Sequence, residues 1–136
     1  MAINIPKDVG SSGASGQFKF VQAPDPHTLR IVFSGFWDEA VMQAYQQALR
    51  QRALVAGGST PTSRVLLDLL DCSIQSLAVL ESMKKVIDNY AGQIKEYGML
   101  LPHSALLRIQ MKRLMVPYAV TYFESEAEAT AWLAPR

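Results

Sequence analysis

Apolar positions along the chain recur with two different periods, and the switches between them outline the elements. Phe18 and Phe20 alternate with Gln17, Lys19 and Val21, a period of two that predicts an edge strand. Pro24-Asp-Pro-His27 predicts a turn, because proline fixes φ and restricts the residue before it. Residues 28–33 are a second β-rich run, so the two strands are expected to form an antiparallel hairpin. After Ser34-Gly35 the period changes. Asp38 and Glu39 place negative charge where a helix begins, and Val41, Ala44, Tyr45, Ala48 and Leu49 follow at helical spacing. Arg50 and Arg52 fall in its last turn, with Gly57-Gly58 in the break beyond.

Residues 65–70 are almost continuously apolar, the signature of a strand covered on both faces in a parallel sheet. Leu80, Met83, Val86, Ile87, Tyr90 and Ile94 then stripe a second helix opposite Glu81, Lys84, Lys85, Asp88 and Asn89. Residues 97–101 predict a short core strand stopped by Pro102. Leu107, Met111, Leu114 and Met115 stripe a third helix, ended by Pro117. Residues 119–133 close the chain with a short strand and a helix, and Ser125 with Glu128 has the spacing of a capping box. The order predicts an α/β fold: a single-layer mixed, mainly parallel sheet of about five strands, with an N-terminal antiparallel hairpin, packed with about four helices.

The small-residue tract ending at Gly16 makes residues 1–16 an expected flexible tail, and residues 17–136 a single domain. At 136 residues, 49% apolar and 18% charged, the chain suits one globular core. A net charge of +1 gives no electrostatic case for nucleic acid or an anionic membrane. The lone Cys72 excludes an internal disulfide and a cysteine-built zinc site. No apolar run is long enough for a membrane span, and the first residues lack the pattern of a secretory signal, so a cytoplasmic protein is expected.

Three segments carry a resemblance: Leu29-Arg-Ile-Val-Phe-Ser-Gly35, Val65-Leu-Leu-Asp-Leu69 and Tyr122-Phe-Glu-Ser-Glu-Ala-Glu-Ala-Thr-Ala-Trp-Leu133. In this order the chain resembles the STAS/SpoIIAA-like superfamily, the fold of anti-sigma-factor antagonists, across residues 18–133. The last segment looks most like a diverged SpoIIAA-like branch of mostly uncharacterised bacterial proteins. The resemblance implies a non-enzymatic regulatory or protein-interaction module without a cofactor. Its partner would be another protein, such as an anti-sigma-factor-like kinase, with a homodimer as a further expectation. In signalling members a partner kinase phosphorylates a serine or threonine where the central strand leads into the second helix. The matching stretch here is Asp71-Cys-Ser-Ile-Gln-Ser-Leu77, which lacks the glycine and the preceding aspartate of the Asp-Ser-Ser-Gly-Leu-like run.

Asp71, Ser73, Ser76, His103 and Ser104 are therefore the candidate partner-contact or phospho-switch region. Phosphate on Ser73 or Ser76 would add about −1.5 to −2 charge at a helix start; the simpler role is a helix cap. His103-Ser104 follows a strand end, the edge where open α/β sheets place ligands, though a loop histidine and an N-cap serine explain it more simply. Asp68 interrupts an apolar strand and is a candidate functional carboxylate, with pairing to an arginine or backbone N–H groups as the structural alternative. Cys72 reads as a small buried hydrophobe rather than a reactive thiol, and the two distant histidines, His27 and His103, make no metal motif. The alternative function is a carrier for a small apolar or lipid-like ligand held between helices and sheet. Met83, Met99, Met111 and Met115 could line such a space, or simply fill the core. Trp37, next to Phe36, is either a lid on the core or part of an exposed patch.

Overall fold

A computed structural model of the chain describes residues 9–11, 16–52 and 61–135. The expected glycine break at Gly57-Gly58 lies outside the described residues, as do most of residues 1–16. The elements are β1 (Val9–Ser11), β2 (Gln17–Gln22), β3 (Thr28–Gly35), α1 (Glu39–Arg52), β4 (Arg64–Cys72), α2 (Leu77–Asn89), β5 (Glu96–Leu100), α3 (Ala105–Leu114), β6 (Val120–Phe123) and α4 (Glu126–Leu133). The strands form one sheet in simple sequence order from β1 to β6. β1, β2 and β3 pair antiparallel, and β3 to β6 pair parallel, so the expected hairpin leads into a parallel sheet. Inside the segment expected as a tail, Val9–Ser11 pairs with Gln17–Lys19 of β2. The sheet edge therefore lies one short strand further out than the alternation at Phe18 and Phe20 suggested.

Each parallel connection crosses through a helix. With the strands in sequence order and a fixed crossover hand, successive crossovers place α1, α2 and α3 on one face. That face holds the larger core, in which Ile31, Phe33, Leu67 and Met99 of the sheet meet Tyr45, Leu49, Met83, Ile87, Leu107 and Met111 of the helices. α4 comes after the last strand and covers the other face, where Leu66, Leu100 and Phe123 meet Ala129 and Leu133. β4 supplies both cores from alternate positions, which is why its sequence is apolar throughout. The aromatic part of the large core is a cluster of Phe18, Phe20, Phe33, Trp37 and Tyr45, with ring centroids 5.3–6.0 Å apart in tilted or edge-on pairs. Burial pushes the Tyr45 phenol far above its usual value, with smaller contributions from Tyr97 and Tyr90.

α4 lies so close to the sheet that β5 carries no side chain at Gly98, opposite Trp132. A Cβ on Gly98 would come within 2.9 Å of Phe123 Cε2 and 3.2 Å of Trp132 Cε3. Polar contacts fix both ends of the helix. At its start, Arg30 donates to Asp68 (2.5 Å) and to Glu126 (2.8 Å), and Asp68 also accepts the Leu70 N–H at 3.2 Å. At its end, the buried Arg64 guanidinium stacks 3.9 Å from the Trp132 ring centroid and donates to the Trp132 carbonyl at 3.2 Å. Arg64 Nη1 also donates to Asp25 (3.3 Å) and Thr28 Oγ1 (3.0 Å), and Nε lies 3.5 Å from Glu96 Oε2. One cation thus joins the β2–β3 turn, the start of β4 and the end of α4. Ser125 caps α4 by accepting the Glu128 N–H at 3.2 Å. The reverse contact of the expected capping box goes instead from the Ser125 hydroxyl to Glu128 Oε1 at 3.1 Å.

Asp25 accepts hydrogen bonds from the Thr28 hydroxyl (2.5 Å) and the His27 N–H (3.3 Å). The Thr28 bond in particular holds its carboxyl below the usual value of 3.8, against the opposing effect of burial. Because the folded value is depressed, this stabilisation is complete above the ordinary carboxylate range and is lost as pH falls through the folded value. Asp25→Asn should therefore flatten the fall in stability below about pH 4, measured by urea unfolding across pH 3–6. Asp25→Ala should cost about 3 kcal/mol at pH 7 in the same assay, by leaving the Arg64 cation buried and short of a partner.

Candidate functional site

All the parallel strands run the same way, so the connections leaving β3, β4 and β5 emerge together at one end of the sheet. In open parallel sheets this end carries the functional loops. Gly35 ends β3 with φ of 73°, a left-handed conformation that glycine adopts without steric cost. That turn sends Phe36 outward and drops Trp37 into the core, where it is completely buried and donates its indole N–H to the Ser34 carbonyl at 3.1 Å. Trp37 is thus the lid on the core, and Phe36 belongs to the exposed surface. Asp38 caps α1 by accepting the Val41 N–H at 2.9 Å.

The loop after β4 is locked to the loop after β3 by one buried side chain, Gln75. Its Oε1 accepts the Trp37 N–H at 2.8 Å, and its Nε2 donates to the carbonyls of Gly35 (2.9 Å) and Ser73 (2.8 Å). The same Nε2 lies 3.3 Å from Cys72 Sγ. A buried amide with both ends used in this way fixes two backbone segments at once. Nothing in the local pattern marks Gln75, because a polar residue between two serines reads as loop surface. Burial also settles the state of Cys72: its thiol is pushed up to about 11, chiefly by desolvation. It stays protonated near neutral pH and is a poor nucleophile.

The candidate residues take distinct places on this platform. Ser76 caps α2 by accepting the Val79 N–H at 3.2 Å, and Ser104 caps α3 by accepting the Leu107 N–H at 3.2 Å. Both serines keep a solvent-accessible position, Ser76 exposed and Ser104 half-buried. Asp71, Ser73 and His103 are exposed. All five belong to the ends of the adjacent strands β4 and β5. Asp68 lies apart from them, buried on the α4 face in its bonds to Arg30 and the Leu70 N–H.

The platform also carries large apolar side chains that the stripes did not single out. Phe36 is 47% exposed, Ile74 46%, Leu77 72% and Leu106 51%. Leu77 falls three residues before the buried Leu80, so helical spacing alone would put it in the core; the first turn of α2 instead stands at the rim of the sheet. Beside this rim a groove of about 510 Å³ runs between α1 and α2, with Met42 and Val79 among its lining residues, and Ser76 at its end. In the interior, where the alternative carrier reading would hold an apolar ligand, two voids between helices and sheet are only about 20 Å³ each. Each is room for a single water at most. Among the described residues no group of three histidine, cysteine or carboxylate side chains could hold a metal ion, and no helix is long and apolar enough to cross a membrane.

No protein-family model and no curated protein matches the chain at the sequence level. The fold does match solved structures. One is an uncharacterised DUF3478-family protein with a SpoIIAA-like fold from Shewanella loihica PV-4. It has 16% identity and a TM-score of 0.65, with 92% of this chain and 98% of that one aligned. An anti-sigma factor antagonist from Mycobacterium paratuberculosis matches at 13% identity and a TM-score of 0.59, over 96% and 98% of the two chains. The structure of SLC26A9 matches at 11% identity and a TM-score of 0.53, with 79% of this chain on 20% of that one. The chain has the SpoIIAA-like α/β fold that the three sequence segments resemble.

Gln75→Ala should destabilise the protein by about 2 kcal/mol, since it leaves buried backbone groups of two loops without partners. Urea unfolding measures that cost. Hydrogen exchange at the Trp37 amide, which donates to Gln75, should accelerate more than exchange at the amides of β4.

Proposed function

We propose that this protein is a non-enzymatic, cytoplasmic regulatory module of a bacterial cell, and that it works by binding another protein through the strand ends of β3, β4 and β5. The observation that carries the reading is the set of exposed apolar side chains Phe36, Ile74, Leu77 and Leu106. They stand on loops held rigid by Gln75 and by the caps Ser76 and Ser104. Large exposed apolar groups on a preordered platform lose little conformational entropy on binding and mark interaction surfaces. Likeness in fold to an anti-sigma factor antagonist supports a protein partner, for which an anti-sigma-factor-like kinase is the leading candidate. Asp71, Ser73 and His103 form the polar part of this surface. The carrier reading draws no support from interior voids of about 20 Å³.

Ser76 is the better placed of the two switch candidates. It is exposed, and a phosphate there would sit at the N-terminus of α2, where the helix dipole favours negative charge. The modification would then leave the fold intact and place two negative charges beside Ile74 and Leu77.

Capture of a partner from native lysate by the purified protein, with mass spectrometric identification, tests the surface. Leu77→Asp and Leu106→Asp should each reduce capture at least about tenfold while leaving the melting temperature within a few degrees, because both side chains are exposed. Capture unchanged by both substitutions would refute the surface. Incubation with the captured partner and ATP should place phosphate on Ser76; a peptide map without phosphate on Ser73 or Ser76 would remove the switch.

A further inference from the structure

From the edge of that platform, the groove between α1 and α2 continues along the length of the helices. Its upper part, of about 510 Å³, passes at Gln46 into a lower part of about 270 Å³ beside Arg50 and Lys85. Four residues of α1 line this trough in succession: Glu39, Gln43, Gln46 and Arg50. Their spacing of four, three and four residues places them in one stripe along a single helix face. The stripe spans about 16 Å, close to three helical turns.

The order of charges on the stripe is unusual. It is acidic at one end, basic at the other, and uncharged with two glutamines between. Turned end for end against itself, Glu39 falls opposite Arg50, Gln43 opposite Gln46, and each pairing is repeated by symmetry. The basic end is reinforced by Lys85 across the trough, and neither Arg50 nor Lys85 has an acidic partner among the described residues. Glu39 makes a 3.3 Å contact with Gln43 of its own helix and has no salt bridge among the described residues. A polar stripe that is its own complement fits an isologous contact, in which the same patch serves on both subunits.

We propose that two copies of this chain associate about a two-fold axis at the middle of α1, the helices running antiparallel, with Glu39 of each copy paired to Arg50 of the other. This contact adjoins the partner-binding platform, because Phe36 and Ser76 also line the upper end of the trough. Because the pairs are few and near solvent, the association is salt-sensitive and of moderate affinity.

Sedimentation equilibrium of the full-length protein at low and high salt tests the proposal. The wild type should be a concentration-dependent dimer at low salt that weakens as salt rises. Glu39→Arg and Arg50→Glu each set like charges against each other twice per dimer, and should raise the dissociation constant about tenfold or more. The double variant Glu39→Arg/Arg50→Glu restores both pairs in the opposite sense and should recover the dimer. An equimolar mixture of the two single variants should associate more tightly than either variant alone, which also shows that both are folded. A wild type that remains monomeric at low salt would overturn the proposal and leave the trough to a different protein. Single variants that dimerise as well as wild type, or a mixture that fails to associate, would overturn it equally.

Discussion

The burial of β4 on both faces is the constraint on which the rest of the molecule depends. A strand with apolar side chains pointing both ways needs a layer on each side, and it has parallel partners in β3, along most of its length, and β5, along Arg64–Asp68. Parallel pairing requires long crossovers, and these are α1 and α2. Because these strands run the same way, the connections that follow β3, β4 and β5 emerge at the same end. The clustering of Phe36, Ile74, Leu77 and Leu106 is thus a consequence of how one apolar strand is covered. The loops there are short and carry buried polar groups, so the fold needs an internal hydrogen-bonding side chain to hold them, and Gln75 fills that need.

The two faces of the sheet are secured by different forces. The face under α1, α2 and α3 is closed by apolar and aromatic packing, with little room left inside. The face under α4 has a smaller apolar core and relies on cations at both ends of the helix. An eight-residue helix has little intrinsic stability. Its position comes from Gly98, which lets it approach, and from Arg30 and Arg64, which hold its ends. Asp68 belongs to this arrangement: a carboxylate in an apolar strand is tolerated because a guanidinium and a backbone N–H satisfy it.

Much of the fold was legible in the sequence because period reports burial directly. The alternation at Phe18 and Phe20, the continuous run at residues 65–70, and the stripes through Met83 and Met111 each correspond to an element in the expected order. Val9–Ser11 escaped notice because three residues in a glycine- and serine-rich tract carry no periodic signal. The serines at 76, 104 and 125 were legible as helix starts, since capping is a local interaction between residues close in sequence. Leu77 was not legible as a surface residue. Periodicity assumes that every position of a stripe reaches the sheet, and Leu77, the first residue of α2, does not, although Val79 and Leu80 in the same turn do.

By itself, then, the sequence determined the elements, their order, and the parallel sheet they must form, because local periodicity and the rules of chain connection depend only on neighbours along the chain. It also narrowed the candidate surface to the stretch from Asp71 to Leu77 and to His103-Ser104. Only the tertiary structure decided which polar residues are internal ties and which face solvent. Arg30 meets Asp68 across 38 positions and Gln75 meets Trp37 across the same separation. Arg64 meets the Trp132 carbonyl across 68. Such pairings are set by strand register and helix docking, which no window along the chain contains. The face of α1 that carries Glu39 and Arg50 was likewise visible as a helix face, but its place on an open trough depended on where α2 came to rest.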